Sequence, residues 1–174
     1  MKENQRLTVS GALTVGDYRR HNNYHMKKVK LIYFIAAFAL FFYVSYRSME
    51  GSWLISLIVT SVVSFLLAGF VLLFLILMIN VRSTREFNKD RRLQKEITYT
   101  FRSMDIKQKF EKSVNQYKWS DVVAVQEQKD LFQLYVSKHH ALILPKWFFD
   151  KEEEIDMFKA MINKYADTNQ IKFL

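Results

Sequence analysis

Asp17, His21 and His25 stand four residues apart, a spacing that could present three metal ligands on one helix face. Thr14-Val-Gly-Asp17 would start that helix as a capping box, continuing through Lys28. The set lacks a fourth ligand and a second shell. The segment is therefore read as a solvated interfacial helix with titratable histidines, and no metal site is assigned. His139 and His140 are adjacent in a polar turn, so their side chains point apart as ordinary surface residues. Four glycines leave little room for a phosphate-binding loop, and no Ser–His–Asp order stands in a suggestive context. The carboxylates of Asp150 to Glu154 fit the start of a helix, where capping explains them. Zero cysteines exclude disulfides, thiolate metal sites, a cysteine nucleophile and a lipid-modified cysteine. The expectation is a protein with no catalytic residues, no cofactor and no enzymatic activity.

The elements around these residues are dominated by two apolar runs. Val29–Tyr46 has 18 residues, and Trp53–Ile79 has 27. As helices they would be about 27 Å and 40 Å long, enough for two transmembrane spans. The longer one should tilt, or project past the membrane. The short link Arg47–Ser52, with Gly51, makes the pair an antiparallel hairpin. Tyr43, Tyr46 and Trp53 suit an interfacial aromatic belt. Lys and Arg are dense at residues 2–30 and 82–95, whereas the link has Arg47 balanced by Glu50. The positive-inside rule then places both termini in the cytoplasm of a cell-membrane protein with two spans. The first run begins too late for a cleavable signal peptide, so anchoring by the chain's own helices is expected. Neither span has an ionisable residue in its interior, which argues against a self-sufficient transporter or channel. Ser52, Ser56, Thr60, Ser64 and Ala68 form a small-residue stripe. It suits packing against Ala36, Ala37 and Ala39 of the first span, or a homo-oligomer or partner helix.

The net charge of +9 is unevenly distributed. Residues 1–96 carry 14 basic and 6 acidic side chains, and residues 97–174 carry 12 and 11. Basicity thus belongs to the membrane flanks, where it serves topology and attraction to anionic headgroups. A near-neutral C-terminal part gives nucleic acid no basic face to bind.

Four segments are expected: 1–28, an N-terminal strand and interfacial helix; 29–81, the hairpin; 82–95, a polar helical stalk; and 96–174, a cytosolic domain. From Glu96 the apolar period changes from that of a helix to that of a strand. Strands are predicted at Ile97–Phe101, Ile106–Phe110, Asn115–Trp119, Asp121–Glu127, Leu131–Ser137 and Ala141–Leu144, the last ended by Pro145. The short turns between them imply an antiparallel meander. A helix from an Asp150–Glu153 capping box to about Tyr165 carries the stripe Ile155, Phe158, Ile162 and Tyr165. The fold class is α+β: a transmembrane hairpin plus a small antiparallel sheet or partial barrel, closed by one C-terminal helix. Such a helix covers the core of a pleckstrin-homology-like barrel in the same way. The strand signal at Arg6–Leu13 could complete the sheet.

Several motifs together carry a resemblance. They are Leu13-Thr14-Val-Gly-Asp17-Tyr18 with Tyr24-His25, Trp119-Ser120-Asp121-Val122, and Ile143-Leu144-Pro145-Lys146-Trp147-Phe148. With the two spans between them, the chain resembles the YcxB-like family of small bacterial membrane proteins along nearly its whole length. The resemblance implies a membrane-anchored domain related to bacterial pleckstrin-homology-like folds, and brings no catalytic residue, substrate or cofactor. Of the aromatics Trp147, Phe148 and Phe149, two are expected as core anchors and one as an exposed contact. The function expected is accessory or regulatory, with the cytosolic domain docking a protein partner. The alternatives are an anionic-lipid-responsive module, through Lys107, Lys109 and Lys112, and a small subunit of a transport complex.

Overall fold

The computed structural model describes residues 6–111, 113–137, 140–167, 169 and 171–173. They form two compact units, residues 22–85 and the remainder on either side. Lys2, Lys112 and His139 lie outside the described residues.

The first unit is a β-domain. Its first sheet has the order β1 (Arg6–Ala12), β2 (Glu96–Arg102), β3 (Asp105–Phe110), β4 (Ser113–Lys118), all antiparallel. Its second sheet has the order β7 (His140–Pro145), β6 (Leu131–Ser137), β5 (Ala124–Glu127), β8 (Ile171–Lys172). Three features depart from the expected single meander. The strand signal at Arg6–Leu13 does pair into the sheet, with Leu7 opposite Phe101 and Val9 opposite Tyr99. The strand expected at Asp121–Glu127 begins only at Ala124. A 3₁₀ turn over Trp119–Asp121 breaks it, held by the indole of Trp119 on the Arg102 carbonyl (2.7 Å) and by Asp121 accepting from the Lys118 amide (2.8 Å). That corner separates the two sheets. Finally, β8 runs parallel to β5, an element too short for any period to reveal.

Alternation places Ile97, Tyr99 and Phe101 inward from β2, with Ile106 and Gln108 inward from β3. Helix α4 (Glu152–Tyr165) buries Phe158, Met161 and Ile162. The ring of Phe158 lies 4.7 Å from Phe101 of the first sheet, 5.2 Å from Phe132 of the second and 5.4 Å from Phe149. One side chain of α4 thus contacts both sheets. The capping box expected at Asp150–Glu153 is not formed. Lys151 is the N-cap and makes no side-chain cap, and Glu154 reaches back to the Asp150 amide (2.9 Å). At Gly11 of β1 a Cβ would fall on the ring of Phe148, so close backbone approach requires glycine there.

The second unit contains α2 (Lys27–Arg47) and most of α3 (Trp53–Lys89). Both are long and apolar enough to cross a membrane. At 37 residues α3 is about 56 Å long, carrying the span and the first part of the expected stalk as one helix; it ends at Lys89, and residues 90–95 turn instead of continuing it. The helix before α2, α1 (Val15–His25), does not run unbroken into it. A turn at Met26 intervenes, bridged by the bonds Met26 N–H to Asn22 C=O and Lys30 N–H to Met26 C=O. No residue of α2 is buried, and Leu31, Ile35, Leu66, Phe70 and Leu73 are each more than half exposed.

Candidate functional site

The first turn of α1 is not solvated as its sequence suggests. Thr14 and Asp17 form the reciprocal capping box, with Asp17 N–H on Thr14 Oγ1 (3.1 Å) and Thr14 N–H on Asp17 Oδ2 (3.0 Å). The carboxylate is fully buried. It also accepts from Thr14 O–H (2.6 Å), from Arg20 Nη2 (2.8 Å) and from the indole N–H of Trp147 (3.3 Å). Burial pushes the Asp17 carboxyl up, but the donors Thr14, Arg20 and Trp147 together hold it below its ordinary value. Arg20 extends the chain of charges to Asp130, at 3.7 Å.

One turn on, His21 meets Gln133 of β6. The Gln133 amide nitrogen lies 2.7 Å from Nδ1 of His21 and donates to the His21 carbonyl (3.1 Å). The amide nitrogen is a donor, so this contact has Nδ1 of His21 accepting. Tyr18 contacts Phe87 at 6.0 Å and donates to Glu86 at 3.4 Å. Asp17 and His21 therefore clasp α1 to the β-domain, and His25 is exposed. Among the described residues no cluster of His, Cys, Asp or Glu forms a metal site. The clasp was not legible in the sequence because its partners Trp147, Asp130 and Gln133 lie more than a hundred residues away.

Trp147 is half exposed, whereas Phe148 and Phe149 are buried. Its indole N–H is directed at Asp17, so this aromatic serves the clasp. Lys146, next to it, pairs with the buried Glu127 (2.6 Å), which Lys159 of α4 meets from the other side (2.8 Å). Both ammonium groups lie over the Phe132 ring, at 5.3 and 5.9 Å from its centre. A carboxylate shared by two lysines is a satisfied structural pair, tying α4 to β5 and β7.

Lys107 and Lys109 occupy the outward face of the first sheet. Register lines up Thr8, Thr100, Lys107 and Gln116 in one row, and Ser10, Thr98, Lys109 and Val114 in the next. Arg6 and Arg102 pair beside them. Lys107 lies 4.0 Å from Asp105, and Lys109 rims a hollow of about 410 Å³ shared with Lys95, Glu96 and Glu111. Among the described residues strand β4 pairs with β3 alone, and Ser113, Val114, Asn115 and Gln116 are exposed on both faces. At its end Tyr117 meets His140 edge-on at 6.2 Å.

In the hairpin, Ser56, Thr60, Ser64 and Ala68 are buried, and Ser52 is exposed. The half-buried positions of α2 are Phe34, Ala37, Phe38, Phe41, Phe42 and Ser45, one helical face. Ala36 and Ala39 are exposed, so of the three alanines expected opposite the stripe only Ala37 lies on this largely aromatic face. Phe34 of that face meets Phe65 of α3 edge-on at 5.7 Å. Below the stripe come polar rungs that the hydropathy pattern hid. Asn22 donates to Ser83 (2.8 Å), Asn23 donates to Asn80 (2.7 Å), and Lys30 donates to Asn23 (3.1 Å).

These features define a class: an α+β chain with two long apolar helices, whose flanking sequence on both sides enters one β-domain. Residues 111–162 match the model of a family described as YcxB-like protein. The chain is also 28% identical over 172 residues, 96% of its own length and 93% of the relative's, to the protein named Uncharacterized protein YcxB from Bacillus subtilis (strain 168). No solved structure matches. Both matches point to the YcxB-like family, the first over residues 111–162 and the second along nearly the whole chain. The Trp119 and Pro145–Phe148 motifs fall inside the matched segment, and the Leu13–Tyr18 motif falls outside it.

Proposed function

We propose that this chain is a membrane-anchored accessory or regulatory protein, without catalytic activity, whose β-domain docks another protein at the cytoplasmic face. The observation that carries the docking reading is β4, which among the described residues is paired on one side only and is exposed on both faces. An open edge adds a strand from a partner, with main-chain bonds giving affinity and flanking side chains giving selectivity. Lys107, Lys109 and Lys118 flank it, which suits an acidic extended segment.

The anchoring reading is supported by the exposed apolar surface of α2 and α3, because a helix from a soluble core would be buried. It is also supported by the β1–β2 register. Sequence before the first span and sequence after the second share one sheet, which requires both on one side of the membrane. Lysine and arginine at the flanks favour the cytoplasmic side. Because β1 precedes α2 and belongs to the sheet, α2 acts as an anchor rather than a leader. We read the β-domain as pleckstrin-homology-like, from its two packed sheets and a C-terminal helix between them. A small subunit of a transport complex, or a self-associating hairpin, remains the alternative for the hairpin's partner.

A second reading has a specific observation behind it, the rows of Thr, Ser and Lys on the first sheet, which suit anionic headgroups. One experiment separates the two. A photo-crosslinking residue at Val114, in the full-length protein in its native membrane, should capture one recurrent protein. Lys107→Glu with Lys109→Glu should abolish that capture. Crosslinks to lipid alone, reduced by salt, would replace the docking reading with the lipid-responsive one.

A further inference from the structure

Beside the polar rungs of the hairpin, α2 and α3 leave an apolar groove of about 790 Å³. Leu31, Phe34, Phe65 and Phe70 line it, and Gly69 opens it, since a Cβ there would meet nothing within 4 Å. Its one polar end is formed by Lys27 and Lys30, one turn apart on α2. Neither lysine has a carboxylate within ion-pair distance among the described residues. Both stand in the first turn of α2. A second groove of about 360 Å³, lined by Tyr33, Met78 and Ile79, also reaches Lys30 and ends at Arg82.

An aliphatic channel with a cationic mouth is complementary to a molecule with an aliphatic tail and an anionic head. We propose that the hairpin holds an anionic glycerophospholipid, one acyl chain in the larger groove and the phosphate between Lys27 and Lys30. Lys30 rims both grooves, which fits a ligand with one head and two tails. The lysine stems reach along apolar surface while their ammonium groups stay at headgroup depth. Basic pockets between spans on the cytoplasmic side recognise anionic headgroups by this chemistry. The proposal rests on α2 and α3 spanning the bilayer and is independent of what the β-domain docks.

The test is native mass spectrometry of the full-length protein released from nanodiscs of equal phosphatidylglycerol and phosphatidylcholine. The wild type should retain phosphatidylglycerol preferentially, at one per chain. Lys27→Gln with Lys30→Gln should lower that preference roughly tenfold. Gly69→Phe, which fills the groove and keeps the charges, should lose the adduct. Alkaline carbonate extraction of the same membranes checks the spanning itself. Release of the wild type by carbonate would overturn the spanning reading, and the proposal with it. Carbonate resistance with equal retention of the two lipids would overturn the proposal alone.

Discussion

In the β-domain, Phe158 lies about ring-contact distance from Phe101, Phe132 and Phe149, and the two sheets close on these large side chains. In the hairpin the buried positions are Ser56, Thr60, Ser64 and Ala68, while leucines and phenylalanines face outward. The same residue types are used in opposite places. Water drives large apolar groups inward in the first case. In the second, small residues are buried and large apolar ones stay outward, the arrangement expected of helices whose surroundings are themselves apolar. Buried polar groups do not divide this way: Asp105 Oδ1 and Gln133 Oε1 in the β-domain, like the Ser64 hydroxyl in the hairpin, have no partner among the described residues. Glu127, buried in the β-domain, has two lysines, and Asp17 has four donors. In the hairpin the hydroxyl of Ser64 is buried without a partner, whereas Thr60 bonds back to the Ser56 carbonyl at 2.7 Å.

The largest expected break in this contrast is Phe158→Ala. It empties the junction of the two sheets and should cost the β-domain about 3–5 kcal/mol. Amide hydrogen exchange should rise throughout β2, β6 and α4 and stay unchanged in the middle of α3. Equal loosening of both units would show that they are not built independently.

Ser64 gives the converse. Ser64→Leu forces a long side chain under the aromatic face of α2 and should destabilise the hairpin by about 1–3 kcal/mol. Ser64→Ala, which removes only an unpartnered hydroxyl, should be neutral or slightly stabilising. Thermal unfolding in detergent, read by protease resistance of the hairpin, distinguishes the two. If both variants unfold at the same temperature, the stripe does not pack as described.

Asp17 should show a smaller effect with a sign fixed by its environment. Its folded carboxyl is held below the ordinary 3.8, so its contribution is complete above that value and is lost as pH falls through the folded value. Asp17→Asn should cost about 1–3 kcal/mol at neutral pH and remove that part of the acid-side decline. An unchanged pH–stability curve in the variant would mean the clasp contributes nothing. The smallest change is expected from Lys109→Glu, within about 0.5 kcal/mol of wild type in stability, because the side chain is exposed. Its effect should appear only in partner or lipid crosslinking at Val114.

What the sequence revealed depended on range. The apolar runs, the β2 and β3 alternation, the α4 stripe and the Thr14–Asp17 capping box are patterns within a dozen residues, and each is present. The split into two sheets turned on Trp119, whose indole seeks the Arg102 carbonyl 17 residues back. The clasp needed Trp147 and Gln133 to come to a helix near the N-terminus. Periodicity carries no such information. The small-residue stripe was visible, but of the three alanines expected opposite it only Ala37 lies on the half-buried face of α2. Spacing identifies a face without saying which side chains of the facing helix meet it. Asn80, at the end of an apolar run, was the one local signal for the polar rungs.

A hairpin that crosses the membrane must return both its ends to the one β-domain that β1 and β2 share. The chain has no cysteine, so single ones can be introduced without background. Ser48→Cys in the link and Thr8→Cys on β1 should be treated with a membrane-impermeant maleimide in intact cells, alongside Lys109→Cys on β3. The link should label at once, and the two β-domain positions only after permeabilisation. Labelling of Thr8→Cys and Lys109→Cys from opposite sides, or of all three from the same side, would contradict the account.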